Sequence, residues 1–321
     1  MASMKVNLRD KLWMLIPIMV TMFWGSASPA VKVAFENFNL DNSNVFSILL
    51  FAGIRFSGAG WLTLIFSRVV SGKAPRFNKS LIIPTISIAT FQTILQYFFF
   101  YIGMSIVSGT TGALLSSTGT FFTVIVAVII GLEIMTGRKF FAIILGMAGV
   151  IILNLNSDFE LIFRVNGELL ILLSAVCYAI SNILIKHHGK NHNPLELSGF
   201  QFIFGGFVLA VIGLLGGGVI IWPGFSKSIV LFYLMFVAAF GYGLWAMLLK
   251  KYDTSQVVIF HTLTPVFGAL FSWVLLGENI WRWNTLVALL LVAMGILLIN
   301  WRSKAADLND SAEHFSDLDQ A

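Results

Sequence analysis

Two stretches decide how this chain is read: TGTFFTVIVAVIIGLE at residues 118–133 and TPVFGALFSWVLLGE at residues 264–278. Each starts on Thr, carries Phe three residues later, runs through an apolar stretch and stops at Gly before Glu. Thr118, Phe121 and Gly131 fall 146 residues before Thr264, Phe267 and Gly277. At the same offset Gly53, Arg55 and Phe56 meet Gly199, Gln201 and Phe202, and Gly149 and Asn154 meet Gly295 and Asn300. An offset of 154 brings Trp24 and Lys32 onto Tyr178 and Lys186. The matches are sparse but in order, so the chain reads as an internal duplication.

The copies are made of long apolar runs. A membrane-crossing helix needs roughly 20 mostly apolar residues. Ten such stretches occur, near 12–35, 44–67, 80–104, 109–132, 138–156, 167–187, 195–219, 228–250, 254–276 and 283–301. The breaks between them are short and hold turn residues or charge. Five crossings per copy is an odd number, so the second copy enters the bilayer from the opposite side. The fold class expected is an all-α integral membrane protein of ten helices in two inverted five-helix repeats, residues 1–156 and 157–301. A solvated, disordered tail follows at 302–321. Inverted repeats are a mark of secondary transporters, with the solute site between the halves.

Composition agrees. The chain has 321 residues, 58% of them hydrophobic and 11% charged, where soluble domains carry about 25% charge. That excludes a disordered chain and argues against a soluble enzyme. The single cysteine, Cys177, excludes an intramolecular disulfide, an iron–sulfur cluster and a cysteine zinc site. The absence of period-two alternation argues against an outer-membrane barrel. A cleaved signal peptide is disfavoured, because the first apolar run is too long for a signal core. With the N-terminus inside, fifteen of the 20 Lys and Arg lie on the cytoplasmic side and three outside. The positive-inside bias therefore gives a multi-pass cell-membrane protein, in bacterial terms an inner-membrane one, with both termini cytoplasmic.

Specific motifs carry a resemblance. Phe23-Trp24-Gly25-Ser26, Arg55-Phe56, Ser116–Phe122 leading to Gly131-Leu132-Glu133, and Thr264-Pro265-Val266-Phe267 leading to Gly277-Glu278 resemble the drug/metabolite transporter superfamily, in its EamA-like ten-helix branch. The resemblance covers about residues 12–301. The first copy has Gly119 where the pattern usually has proline; the second keeps Pro265. The resemblance implies a transporter of small metabolites, many of them amino acids, and leaves the substrate open.

Ionisable groups at bilayer depth are costly and are functional candidates by default. Arg55 lies near the middle of the second stretch, and two readings stay open for it: a structural cation on backbone carbonyls, or an attractor for an anionic group. His261 heads a small, polar stripe with Thr264, Pro265, Gly268 and Ser272, at helical spacings that point inward. No Asp or Glu falls at mid-membrane, so proton coupling, if present, would run through His261. Candidate solute contacts are Trp24, Gln92, Gln96, Tyr97, Ser117, Thr118, Tyr178, Asn182, Tyr242, Trp245 and His261. Each alone is better explained by helix packing or an interhelical hydrogen bond. Together they suggest an aromatic-lined central cavity for an apolar, aromatic or cationic solute.

No catalytic residue, metal or cofactor is expected. The Gly-rich run 213–218 lacks the Gly-Lys-Ser/Thr of a phosphate loop, and Gly213-x-x-x-Gly217 reads instead as a close helix contact. His187, His188 and His192 read as a solvated basic loop. The expected partners are a small-molecule substrate and the lipid bilayer, not nucleic acid, with a homodimer left open. The leading function is export of amino acids or related amphiphiles by alternating access. The alternatives are uptake or exchange of a cationic or sugar-like metabolite on the same fold, and an intramembrane enzyme. An ion channel lacks a visible charge ring or filter loop.

Overall fold

The computed structural model describes residues 12–40, 44–104, 115–116, 118–154, 165–276 and 283–299. Ser117, the tail 302–321 and the expected breaks near 105–108, 156–164 and 277–281 lie outside them. The regular elements among the described residues are all helices, with no strand. α1 is Leu15–Asn37, after a 3-10 turn at Leu12–Met14, and α2 is Val45–Ser71. α3 is an unbroken run of a 3-10 turn (Lys79–Leu81), an α-helix (Ile82–Ile88), a π-helix (Ala89–Leu95) and an α-helix (Gln96–Met104). α4 is Gly119–Ile129, α5 Gly137–Asn154, α6 Val165–Gly189, α7 Pro194–Leu215 and α8 Phe225–Lys251. α9 joins Thr254–Val258, a 3-10 stretch Ile259–Leu263 and Thr264–Leu276, and α10 is Trp283–Ile299.

Local chemistry sets several of these ends. The Asn44 side chain accepts the Ser47 N–H at 3.1 Å, capping α2. Gly72, at φ +67, closes the same helix in the left-handed conformation that glycine adopts without a Cβ clash. Asn193 caps α7 by accepting the Leu195 N–H, and Pro194 takes the first turn, where its missing N–H costs nothing. α7 ends at Leu215, so only Gly213 of the expected Gly213-x-x-x-Gly217 pair is a helix contact. Gly217 sits at φ +82 in the turn with open space around it. That departure follows from the three successive glycines, which end a helix more readily than they pack one.

Among the described residues, six helices are long and apolar enough to cross a bilayer: Leu12–Asn37, Val45–Ser71, Lys79–Gly103, Gly167–Gly189, Pro194–Leu215 and Phe225–Lys251. Gly119–Ile129 and Leu290–Ile299 are shorter apolar helices. The bundle is apolar outside as well as inside. Trp61, Ile65, Phe141, Phe207, Leu214 and Leu290 are exposed, while Thr63, Thr93, Gln201 and Asn182 are fully buried. A surface of this kind suits hydrocarbon rather than water, and it makes this a multi-pass membrane protein.

The most extensive helix contacts are α2 on α7 and α5 on α10. Next come α1 on α8 and on α9, and α6 on α3 and on α4. α2 meets α7 through glycines. A Cβ on Gly53 would lie 2.7 Å from the Gly206 carbonyl oxygen, and one on Gly60 would lie 2.7 Å from that of Gly199. Reciprocally, a Cβ on Gly206 would lie 2.8 Å from the Gly53 carbonyl oxygen. Early residues of one helix thus meet late residues of the other, so the two run antiparallel.

A clasp joins the end of α4 to the start of α9. Glu133 accepts the Lys139 ammonium at 2.8 Å and the Ser255 backbone N–H at 3.0 Å. Burial opposes ionisation of Glu133, but Lys139 and Ser255 outweigh it and hold the carboxyl below its ordinary value. A carboxyl depressed on folding stabilises the protein above its unfolded pKa, and that stability is lost as pH falls through the lower folded value. Glu133→Gln should therefore lower thermal stability at pH 7, by about 1.5–3 kcal/mol for hydrogen bonds to a charged group. It should also flatten the acid limb of the wild-type stability curve. Melting of both proteins in detergent between pH 3 and pH 7 checks this, and superimposable curves would contradict it.

Candidate functional site

The helices bring together most of the aromatic residues singled out above. Trp24 of α1 lies with its ring centroid 4.9 Å from Tyr242 and 4.9 Å from Trp245, both of α8. His261 of α9 is 5.6 Å from Trp24 and 4.9 Å from Tyr178 of α6. The Tyr97 and Tyr242 hydroxyls meet at 2.8 Å, tying α3 to α8. These residues come from early and late parts of the chain alike. Small residues permit the approach. A Cβ on Gly241 would lie 2.6 Å from Trp24 Nε1, and one on Gly119 would lie 2.8 Å from the Tyr178 ring. Glycine at 119 is thus required by the Tyr178 ring, whatever the family pattern has there.

The members differ in how they are held. Trp245 is fully buried, and its indole N–H donates to Asn182 Oδ1 at 2.9 Å. Asn182 in turn donates to the Tyr178 carbonyl oxygen at 3.1 Å. Both are locked into the framework. Trp24, Gln96, Tyr97 and His261 are only partly buried. Several of their polar atoms lack a protein partner: Trp24 Nε1, Gln96 Oε1, Tyr178 Oη and His261 Nδ1, with Thr264 Oγ1 on the same stripe as His261. Buried polar groups are nearly always hydrogen-bonded, and an unmet one costs about 1–3 kcal/mol. Unmet donors and acceptors on Trp24, Tyr178 and His261, whose rings lie together, are suited to a solute carrying both polar and apolar parts.

Other candidates lie beside this cluster or in the packing. Thr118 donates to the Leu115 carbonyl oxygen at 2.5 Å, next to Gly119. Gln92 lies on the π-helical stretch of α3 and accepts from Gln201 Nε2 at 2.9 Å, while Gln201 Oε1 accepts from Thr93 at 2.8 Å. That pairing makes Gln92 chiefly a link between α3 and α7, with its own amide N–H donors unmet. Arg55 is buried, donates through Nε to the Leu234 carbonyl oxygen at 3.4 Å, and lies 5.1 Å from the Phe56 ring centroid. The backbone contact is the structural reading. No carboxylate pairs with Arg55 among the described residues, so the anion-attracting reading keeps its chemical basis. The Tyr101 hydroxyl lies beside it.

Residue-by-residue reading did not single out the stacked pair Phe56–Phe202, 5.3 Å between centroids at 18°. Phe56 also packs on Tyr97 and Phe202 on Tyr242. The signal was present, because Phe56 and Phe202 coincide at the 146-residue offset. Trp13 stacked on Tyr252 at 4.1 Å left no comparable trace. Among the described residues no cluster of His, Cys, Asp or Glu has the geometry of a metal site. His187, His188 and His192 are adjacent: His188 lies 3.4 Å from Ser87 Oγ, and His192 Nδ1 lies 3.1 Å from the His188 carbonyl oxygen.

Comparison with known proteins follows the same lines. The protein is 29% identical over 266 residues to the "Uncharacterized transporter YvbV" of Bacillus subtilis, covering 80% of this chain and 84% of that one. It is 26% identical over 304 residues to the "Probable amino-acid metabolite efflux pump" of Escherichia coli, covering 89% and 95%. A crystal structure superposes with a TM-score of 0.72 at 16% identity, covering 89% of this chain and 95% of the other, a likeness of fold alone. The model of the EamA-like transporter family matches residues 11–155 and again 165–301. With two family matches spanning most of the sequence and a helical bundle around a shared polar and aromatic centre, this chain belongs to the EamA-like transporter family, within the drug/metabolite transporter superfamily.

Proposed function

We propose that this protein is a secondary transporter that exports small organic metabolites, amino acids or related amphiphiles, through the centre of the bundle. The observation that carries the reading is the set of unmet polar atoms on Trp24, Tyr178 and His261, whose rings lie together with that of Tyr242. Aromatic faces hold an apolar body, and the donors and acceptors orient polar ends. Arg55, a buried cation without a carboxylate partner among the described residues, favours solutes with an anionic group over purely cationic ones.

The architecture proposed is ten crossings in two inverted five-helix halves, residues 1–156 and 157–301, with both termini cytoplasmic. Three observations support it. The family model matches twice, once in each half. The contacts Gly53–Gly206 and Gly60–Gly199 exchange when each glycine is replaced by the one 146 residues away. So do the helix pairs: α1 with α8 and α9 corresponds to α6 with α3 and α4. Two unequal arrangements of equivalent halves give alternating access, opening the centre to one side and then the other.

Efflux and counterflow assays in reconstituted vesicles, with a panel of amino acids and amines and with or without a pH gradient, test this reading. Saturable movement of at least one amphiphilic metabolite is expected, and none across the panel would remove the proposal. Coupling has its own test. If a pH gradient drives accumulation, the exchanging group is His261, because no carboxylate is placed with it among the described residues. His261→Gln should then abolish pH-driven accumulation and leave downhill exchange intact. Unchanged accumulation in this variant would take His261 out of the coupling.

A further inference from the structure

Away from the central cluster, a groove of about 450 Å³ opens where α2 and α8 end and α7 begins. It is lined by Val70, Ser71, Asn193, Pro194, Leu195, Met247, Lys250 and Lys251. None of these belongs to the proposed solute site. We propose that this groove binds an anionic phospholipid of the leaflet in which α2 and α8 end. The acyl chains would lie along Val70 and Met247, and the phosphate between Lys250 and Lys251.

The depth is right for a headgroup. Ser71 and Lys251 are the last residues of two helices long enough to span the bilayer, so the groove sits at the polar boundary. The apolar side is right for chains: Val70 and Met247 are exposed on the bundle's outer surface, while Leu195 forms a buried floor. The charge is right for phosphate. Lys250 spends one of its three donors on the His192 carbonyl oxygen at 3.2 Å. Lys251 lies 5.4 Å from the Tyr252 ring centroid. Neither lysine is ion-paired among the described residues. Of the carboxylates close in sequence to the lining residues, Glu196 is engaged by the Asn193 side chain at 3.5 Å, and Asp253, two residues past Lys251, makes no ion pair with either lysine. Two lysines without a carboxylate partner among the described residues therefore line the groove. Basic pockets between membrane helices at this depth recognise anionic headgroups. Soluble anions would not need the apolar walls.

The full-length protein, purified in a mild detergent, can be titrated with phosphatidylglycerol or phosphatidylcholine, with bound lipids counted by native mass spectrometry. Phosphatidylglycerol should be retained in preference to phosphatidylcholine. Removing each lysine should weaken its retention about 5-fold, and Lys250→Gln with Lys251→Gln together about 25-fold. Val70→Trp, which fills the groove and keeps both charges, should also lose the lipid. A control, Lys79→Gln with Lys227→Gln, removes the same charge at positions that do not line the groove and should bind as wild type. Equal loss in the control, or full retention in Val70→Trp, would overturn the site. Displacement of phosphatidylglycerol by millimolar inorganic phosphate would also overturn it, because the groove would then be reading phosphate alone.

Discussion

Gly53→Val and Gly206→Val are each expected to prevent the protein from assembling as a stable, monodisperse particle. A Cβ at Gly53 would lie 2.4 Å from the Ala210 backbone nitrogen, and one at Gly206 would lie 2.5 Å from the Ser57 backbone nitrogen. These neighbours are backbone and cannot rotate away, so the helices themselves would have to move apart. Overpacking a well-fitted interface costs about 1–3 kcal/mol even where side chains can adjust. Here at least about 3 kcal/mol is expected for each variant, because the adjoining glycine contacts along α2 and α7 would open as well. Gly58→Ala is the matched control, since its Cβ would meet only the flexible end of Met235. Size-exclusion profiles and melting curves in detergent compare the three. A Gly53→Val protein that elutes and melts like Gly58→Ala would mean that α2 and α7 are not packed this closely.

The second large effect is expected at the central tryptophans, which should separate. Trp24→Ala should weaken solute binding by about 1–3 kcal/mol, the scale for burying a large apolar side chain against a ligand. It should leave folding largely intact, because Trp24 is only partly buried and its N–H has no protein partner. Trp245→Ala should instead cost about 3–5 kcal/mol of stability, since a fully buried indole is removed and Asn182 loses its donor. Trp245→Phe keeps most of the ring and removes the hydrogen bond, so it should fall between. Binding isotherms and melting curves on the same preparations check the pattern. Equal stability loss in Trp24→Ala and Trp245→Ala, with unchanged affinity in both, would make both residues framework.

Much of this arrangement was legible in the sequence, for physical reasons that can be named. Apolar runs of bilayer length mark the helices, and α9 begins at Thr254 and ends at Leu276, as its apolar run does. The 146-residue offset carried more than a fold: Gly53 and Gly60 and their equivalents Gly199 and Gly206 became the α2–α7 crossing, and Phe56 and Phe202 became a stacked pair. Depth within each run selected Trp24, Tyr97, Tyr178, Tyr242 and Trp245, of which Tyr178, Tyr242 and Trp245 are buried and Trp24 and Tyr97 partly so. What composition could not give was the division of labour among them. That Trp245 is anchored by Asn182 while the Trp24 N–H is unmet depends on rotamers and neighbours from other helices. The π-helical stretch at Ala89–Leu95 was also invisible, because the wider turn carries no residue signature of its own. The Glu133 clasp joins residues 122 positions apart, and no local pattern announces it.

The proposed solute site lies at the centre of the bundle and is reached from each side in turn. The chain has one native cysteine, Cys177, which is buried. A Trp24→Cys substitution in a Cys177→Ala background therefore offers a single reactive thiol at that centre. Its modification rate by a membrane-impermeant thiol reagent can be measured from either face of sealed vesicles, with and without a transported solute. The account predicts that the thiol reacts from both faces and that the solute slows both reactions. A thiol that reacts from both faces at rates no transported solute changes would contradict it, as would one that reacts from neither.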